Sequence, residues 1–116
     1  MSILTLLHNP ECSKSREVVA LLMQQQVEFT VIEYLKNPLS AAEIQAILSL
    51  LSCAPIHAVR QTEPTFKALG LANQALNIQQ WAQVLSENPV LIQRPILYSN
   101  QKAVIGRPPN LVLEML

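Results

Sequence analysis

Charge is scarce and balanced in this chain of 116 residues: 14% are Asp, Glu, Lys or Arg, eight of each sign. A general nucleic-acid binder carries a basic excess, so no nucleic-acid partner is expected. Aromatic residues make up only 4%, against 50% hydrophobic residues overall. That balance describes a core of aliphatic packing and argues against disorder. No apolar run approaches the roughly 18 residues of a membrane span. Met1 to Leu7 is apolar, but it has no basic leader and no small-residue cleavage site, and His8, Asn9 and Pro10 interrupt it. A cytoplasmic protein with no membrane partner is the expectation. Linkers, low-complexity tracts and repeats are also missing, and residues 1–116 read as a single domain.

Cysteine is limited to Cys12 and Cys53. In a reducing cytosol these read as thiols before they read as a disulfide. Neither has the neighbours of a zinc site, so no metal is expected. Ser15 stands where a Cys-x-x-Cys motif would place its second cysteine, and Val18 where a Cys-x5-Arg phosphate loop would need arginine. Dithiol and phosphatase-loop chemistry are both excluded at Cys12.

What is present has a clear order. Ile3 to Leu7 reads as a buried strand, and Asn9-Pro10 as a turn. Ser13 to about Gln26 reads as a helix with Val18, Val19, Leu22 and Met23 on one face. Val27, Phe29 and Val31 alternate with Glu28 and Thr30, predicting a strand that ends near Tyr34. Ser40 with Glu43 forms a capping-box pattern before Ile44, Ile47, Leu48 and Leu51, and Asn77 with Gln80 repeats it before Ile78, Trp81, Ala82 and Leu85. Short helices are expected from Pro55 to about Leu71. Leu91 to Tyr98 and Lys102 to Ile105 read as two strands joined at Ser99-Asn100, followed by a short helix over Leu111 to Leu116. Pro95 inside the first of these implies a strand end, an edge or a cis bond. A β-α-β unit, a helical segment, a hairpin and a last helix make an α/β thioredoxin-like fold. Its mixed four-stranded sheet is flanked by helices and interrupted by a helical insertion in mid-chain.

His8-Asn9-Pro10-Glu11-Cys12-Ser13-Lys14-Ser15-Arg16 joins the first strand to the first helix. The free N–H groups and macrodipole at a helix start stabilise a thiolate, the reactive form of cysteine, and can receive an anion. His8, Lys14 and Ser15 are placed to add charge or hydrogen bonds. A free cysteine is more often a small buried hydrophobe, and the residues alone leave both readings of Cys12 open. For Cys53, at a helix end, a buried structural thiol is the expectation. His57 is expected to be satisfied or exposed.

The same loop closely resembles the signature of the glutaredoxin-coupled arsenate reductase family, in particular its shorter members. The similarity continues through Tyr34-Leu35-Lys36-Asn37-Pro38, Val59-Arg60-Gln61-Thr62-Glu63-Pro64, Gln93-Arg94-Pro95-Ile96 and Gly106-Arg107-Pro108, in the family's order. The resemblance implies that Cys12 attacks arsenate, that Arg60, Arg94 and Arg107 hold the oxyanion, that His8 and Ser15 support the thiolate, and that Pro95 is a cis-proline. It implies glutathione as co-substrate, glutaredoxin as partner, no tightly bound cofactor and a monomeric enzyme. Two other readings compete: a glutathione-dependent monothiol oxidoreductase that does not act on arsenate, and an Spx-like RNA polymerase-binding regulator. Many Spx-like proteins switch through Cys-x-x-Cys, which Ser15 removes here.

Overall fold

In the computed structural model, residues 3–116 are described; Met1 and Ser2, part of the apolar start, lie outside the described residues. Four strands, β1 (Leu4–Leu7), β2 (Phe29–Ile32), β3 (Ile96–Tyr98) and β4 (Ala103–Ile105), form one sheet in the order β2-β1-β3-β4. β1 runs parallel to β2, with Leu4 opposite Phe29 and Leu7 opposite Ile32. It runs antiparallel to β3, with Leu7 opposite Ile96, and β3 pairs antiparallel with β4. This is the mixed four-stranded sheet of a thioredoxin-like fold.

Successive strand residues point to opposite faces, so Leu6 and Leu7 feed two different cores. Leu6 and Leu97 are fully enclosed with Val18 and Leu22 of helix α1 (Ser13–Gln24) and with Val112 of the C-terminal 3-10 segment, Pro109–Met115. Each of these leucines contributes about 1.5–3 kcal/mol on burial. Leu7, Ile96 and Ala103 meet the mid-chain insertion, where helix α2 (Ala41–Leu50) packs on helix α4 (Ile78–Glu87) through Ile44, Ile47, Leu48, Trp81 and Leu85. A short helix, α3 (Pro64–Ala68), and 3-10 turns at Pro55–Ala58, Leu71–Asn73 and Pro89–Leu91 complete the insertion. Both capping boxes form. Ser40 Oγ accepts from Glu43 N–H at 3.1 Å, and Asn77 Oδ1 from Gln80 N–H at 2.8 Å; Glu43 and Gln80 return the bond to the cap residue's own N–H.

Several sequence expectations change. The strand expected over Leu91 to Tyr98 begins only at Ile96: Pro89–Leu91 is a 3-10 turn, and Ile92 makes a lone antiparallel bridge to Val59. The apolar run is buried as expected but spent on the junction with the insertion. Helix α1 stops at Gln24, and Gln26 takes a left-handed φ of 58° as the chain reverses. Met23 is 67% exposed, off the face that Val18 and Leu22 bury. Val31 also faces outward, because β2 is an edge strand whose burial is one-sided and incomplete. The last segment, Pro109–Met115, is 3-10 and not α. Cys53 is exposed rather than buried: α2 ends at Leu50 and Leu51 turns extended into a bridge with Ala103, leaving Ser52 and Cys53 outside the core. His57 is exposed, as the sequence reading allowed.

Among the described residues no helix is long and apolar enough to cross a membrane. Nor does any group of three or more His, Cys, Asp or Glu side chains there stand close enough to hold a metal ion.

Candidate active site

Cys12 is the N-cap residue of α1, extended at φ −96° and ψ 124°, with no side-chain cap of its own. The loop that delivers it is held locally. Cys12 N–H bonds the Asn9 carbonyl at 3.0 Å, Glu11 N–H bonds Asn9 Oδ1 at 3.0 Å, and Arg16 Nη1 bonds the Pro10 carbonyl at 2.8 Å. No acidic residue occupies the first turn of α1, so nothing there competes with a thiolate for the helix's positive end.

The thiol is 7% exposed and both cysteines are free. Burial alone would raise its pKa. Hydrogen bonds from Ser15 N–H, from the Arg94 side chain and from Lys14 N–H, together with the Arg94 charge, outweigh burial and lower it. Arg107 Nη2 stands 3.6 Å from Sγ, and Arg107 Nε donates to the Arg94 carbonyl at 2.7 Å. The two arginines are thereby fixed to one another as well as to the thiol. Arg94 also keeps open donors: its Nε and Nη1 are buried and, among the described residues, have no hydrogen-bond partner. Buried guanidinium donors left open are costly, and an oxyanion is the ligand whose geometry they match.

Two proline bonds set the backbone around these side chains. Arg94–Pro95 and Arg107–Pro108 are both cis, and Gly106 N–H bonds the Pro95 carbonyl at 2.8 Å. The cis bond at Pro95 accounts for a proline at the head of β3; the one at Pro108 was not anticipated.

The other expected residues are arranged differently. His8 Nδ1 lies 2.6 Å from Ser15 Oγ, which also accepts from Asn9 N–H at 3.0 Å. With Asn9 donating, the hydroxyl proton is free for a neutral imidazole. Burial favours that state and lowers the His8 pKa, with Glu33 opposing and Arg16 reinforcing. The two side chains thus brace the loop, and of Ser15 it is the backbone N–H that reaches the thiol. Arg60 is turned toward its own segment: Nη1 pairs with Glu63 and approaches the Val90 carbonyl at 3.5 Å. Its backbone N–H bonds the Leu91 carbonyl at 2.7 Å, docking the insertion on the segment before β3. Arg60 still borders a cavity of about 280 Å³ together with Gln93 and Arg107.

Two residues belong to this site that sequence reasoning did not single out. Glu63 neutralises Arg60, a partnership visible in retrospect only as i, i+3 spacing. Tyr34, just past β2, is 1% exposed and lies within electrostatic reach of Arg94, Arg60, Cys12 and Arg107. Burial pushes its phenol up to about 12, against the downward pull of Arg94 and Arg60. Its place in the Tyr34-Leu35-Lys36-Asn37-Pro38 motif was the available signal.

A thioredoxin-like sheet, a single activated thiol at the start of α1 and two guanidiniums beside it define a monothiol, anion-facing member of that fold. The chain belongs to the ArsC family, whose profile matches residues 7–115. It is 39% identical over 110 residues to the arsenate reductase of Haemophilus influenzae, covering 94% of this chain and 95% of that protein. To the Escherichia coli K12 protein called "Uncharacterized protein YfgD" it is 43% identical over 109 residues, covering 93% and 92%. The solved arsenate reductase of Vibrio cholerae superposes with a TM-score of 0.91 at 37% identity, covering 99% of this chain and 98% of that one.

Proposed function

We propose that this protein is an arsenate reductase that uses glutathione and glutaredoxin, acting in a reducing cytoplasm. The observation that carries the reading is the Cys12 thiol held under Arg107 Nη2 at 3.6 Å, beside the open donors of Arg94. A helix-start thiolate is the nucleophile, and preorganised guanidiniums hold the charge of the anion it attacks. Arsenate reductases of high coverage among its relatives support the choice of substrate.

In the reaction so read, Cys12 Sγ bonds to As(V) and one oxygen leaves as water after taking up protons from solvent. The glutathione thiol then attacks Cys12 Sγ. The sulfur–arsenic bond breaks with its electron pair on arsenic, releasing arsenite as As(III) and leaving a Cys12–glutathione disulfide. Cys12 and glutathione each supply one of the two electrons. A glutaredoxin thiolate next takes the glutathionyl group and frees Cys12. Arg94 and Arg107 hold the anion throughout, and Arg60 joins them if its pairing with Glu63 is exchanged for one with substrate. No tightly bound cofactor or metal enters the scheme.

Steady-state reduction of arsenate with glutathione and glutaredoxin, run on wild type and Cys12→Ser together, tests it. Turnover by the wild type and loss to background in the variant are expected. Turnover with thioredoxin but not glutaredoxin would reassign the reductant. Reduction of a glutathione mixed disulfide without arsenate turnover would make it a monothiol oxidoreductase, and stoichiometric RNA polymerase binding without turnover a regulator.

A further inference from the structure

An acidic side chain at a helix start commonly caps a backbone N–H. Glu63 departs from this: it stands at the N-cap of α3, yet its side chain caps nothing there and pairs with Arg60 Nη1 instead. The pair is partly buried, its two side chains 23% and 19% exposed. The contact of Arg60 with the Val90 carbonyl, at 3.5 Å, falls on the same nitrogen. The Arg60 backbone is pinned, its N–H on the Leu91 carbonyl at 2.7 Å and its carbonyl accepting from Glu63 N–H at 3.3 Å, so movement is left to the side chain. The space beside it is a cavity of about 280 Å³ shared with Thr62, Gln93 and Arg107, ample for a tetrahedral oxyanion. Arg107 links that cavity to the thiol, with Nη2 3.6 Å from Cys12 Sγ. Arg60 therefore stands at the edge of an anion-sized space with its charge already matched by a carboxylate of its own segment.

We propose that Glu63 is a positioning residue that holds Arg60 neutralised until an anion enters this cavity, and then yields the guanidinium to it. The inference rests on the oxyanion reading of Cys12. The exchange replaces a carboxylate by another oxyanion on the same fork of donors, and the released carboxylate is near enough to solvent to be hydrated. Glu63 is thus a competitor built into the chain, and the site holds its anion less tightly than three unopposed arginines would. The reaction itself changes the balance of that competition. Arsenate is an anion near neutrality, whereas arsenous acid is uncharged. A neutral product does not contest Arg60, so Glu63 takes the guanidinium back and the grip relaxes once the chemistry is done.

The test is protection of Cys12 from iodoacetamide by arsenate, in wild type, Glu63→Gln, Arg60→Met and the double variant. Glutamine keeps the shape of Glu63 and removes its charge. The arsenate concentration giving half-protection should fall about two- to fivefold in Glu63→Gln, the modest factor of a partly exposed ion pair, whereas a damaged fold would raise it. Adding Glu63→Gln to Arg60→Met should gain clearly less than the same change gains in wild type. In turnover, Glu63→Gln should lower KM for arsenate and leave kcat unchanged, the mark of a change in uniform binding. An equal or higher half-protection concentration in Glu63→Gln would overturn the role of Glu63 while leaving the oxyanion site standing. The full gain persisting without Arg60 would also overturn it, because Glu63 would then act through its field alone. Wild type unprotected by arsenate would overturn the oxyanion site and Glu63's part in it together.

Discussion

Cys12 keeps its proton less tightly than a free thiol, even though burial acts the other way, because the Ser15 and Lys14 N–H groups and the Arg94 side chain favour the thiolate. Replacing Arg94 by Gln removes the charge and part of the hydrogen bonding, so the pH midpoint of Cys12 alkylation should move upward. Turnover should fall by about 10²–10³, the usual loss for one preorganised oxyanion donor; an unmoved midpoint would show that Arg94 does not act on the thiol. The lowered value has a stability consequence as well. Between the folded and unfolded thiol values the unfolded chain binds more protons, so the stability held in the thiolate is complete above the unfolded value and is lost as pH falls through the folded one. His8 has the same sign, since its folded value is also lowered, first by burial. Stability should therefore fall as pH drops through the histidine range, and a pH series of urea midpoints on wild type and His8→Gln would separate this contribution from that of Cys12. Ser15, 0% exposed, serves both Asn9 N–H and His8 Nδ1. Ser15→Ala leaves those groups unpaired and should cost about 1–3 kcal/mol in urea unfolding.

At the scale of elements, what the sequence disclosed depended on whether the signal was local. Capping is local: Ser40 with Glu43 and Asn77 with Gln80 each lie within four residues, and both boxes form where they were read. The position of Cys12 at a helix start was legible for the same reason, from Asn9-Pro10 and the period that follows. The side chains around it were legible only through motif resemblance. Nothing in the spacing of Arg94 and Arg107 says that Nε of one will bond the carbonyl of the other. Nor does the spacing reveal that Arg60 will turn to Glu63. The misread strand had a different cause, because Val90-Leu91-Ile92 is apolar whether it serves a ladder or a buried turn. Gly106 shows how tightly the elements converge. A Cβ there would come within 2.9 Å of Val18 Cγ2 on α1, 3.0 Å of Pro95 Cγ and 3.3 Å of Val112 Cγ1. None of these is the free end of a long flexible chain. Gly106→Ala should therefore destabilise by about 1–3 kcal/mol through overpacking. By pushing β4 from α1 it should also shift Arg107 from Cys12. Slower turnover together with a lowered urea midpoint is the expected pair, and a neutral urea midpoint would mean that the three neighbours yield freely.

Across the whole molecule the site sits where two cores meet, and its geometry depends on both. One core holds α1, whose N-cap is Cys12, against Leu6 and Leu97 through Val18 and Leu22. The other ties the insertion to the opposite face of the same sheet through Leu7, Ile96 and Ala103. Leu6 and Leu7 are adjacent in β1, as are Ile96 and Leu97 in β3, so neither core can lose its sheet face without disturbing the other. Backbone bonds from Arg60 N–H to Leu91 and from Gln93 N–H to Ala58, at 2.7 and 2.8 Å, close the insertion onto the segment that leads into Arg94. Insertion and sheet should therefore unfold as one cooperative unit. Trp81, the only tryptophan and 4% exposed, reports on the insertion by fluorescence, while far-UV circular dichroism reports on the whole backbone. The two urea curves should coincide. Leu85→Ala, a truncation at 1% exposure in the insertion's core, should move both together by about 2–5 kcal/mol. A tryptophan transition that precedes the backbone signal would instead make the insertion a separately folding lobe, able to release Arg60 while Cys12, Arg94 and Arg107 stay in place.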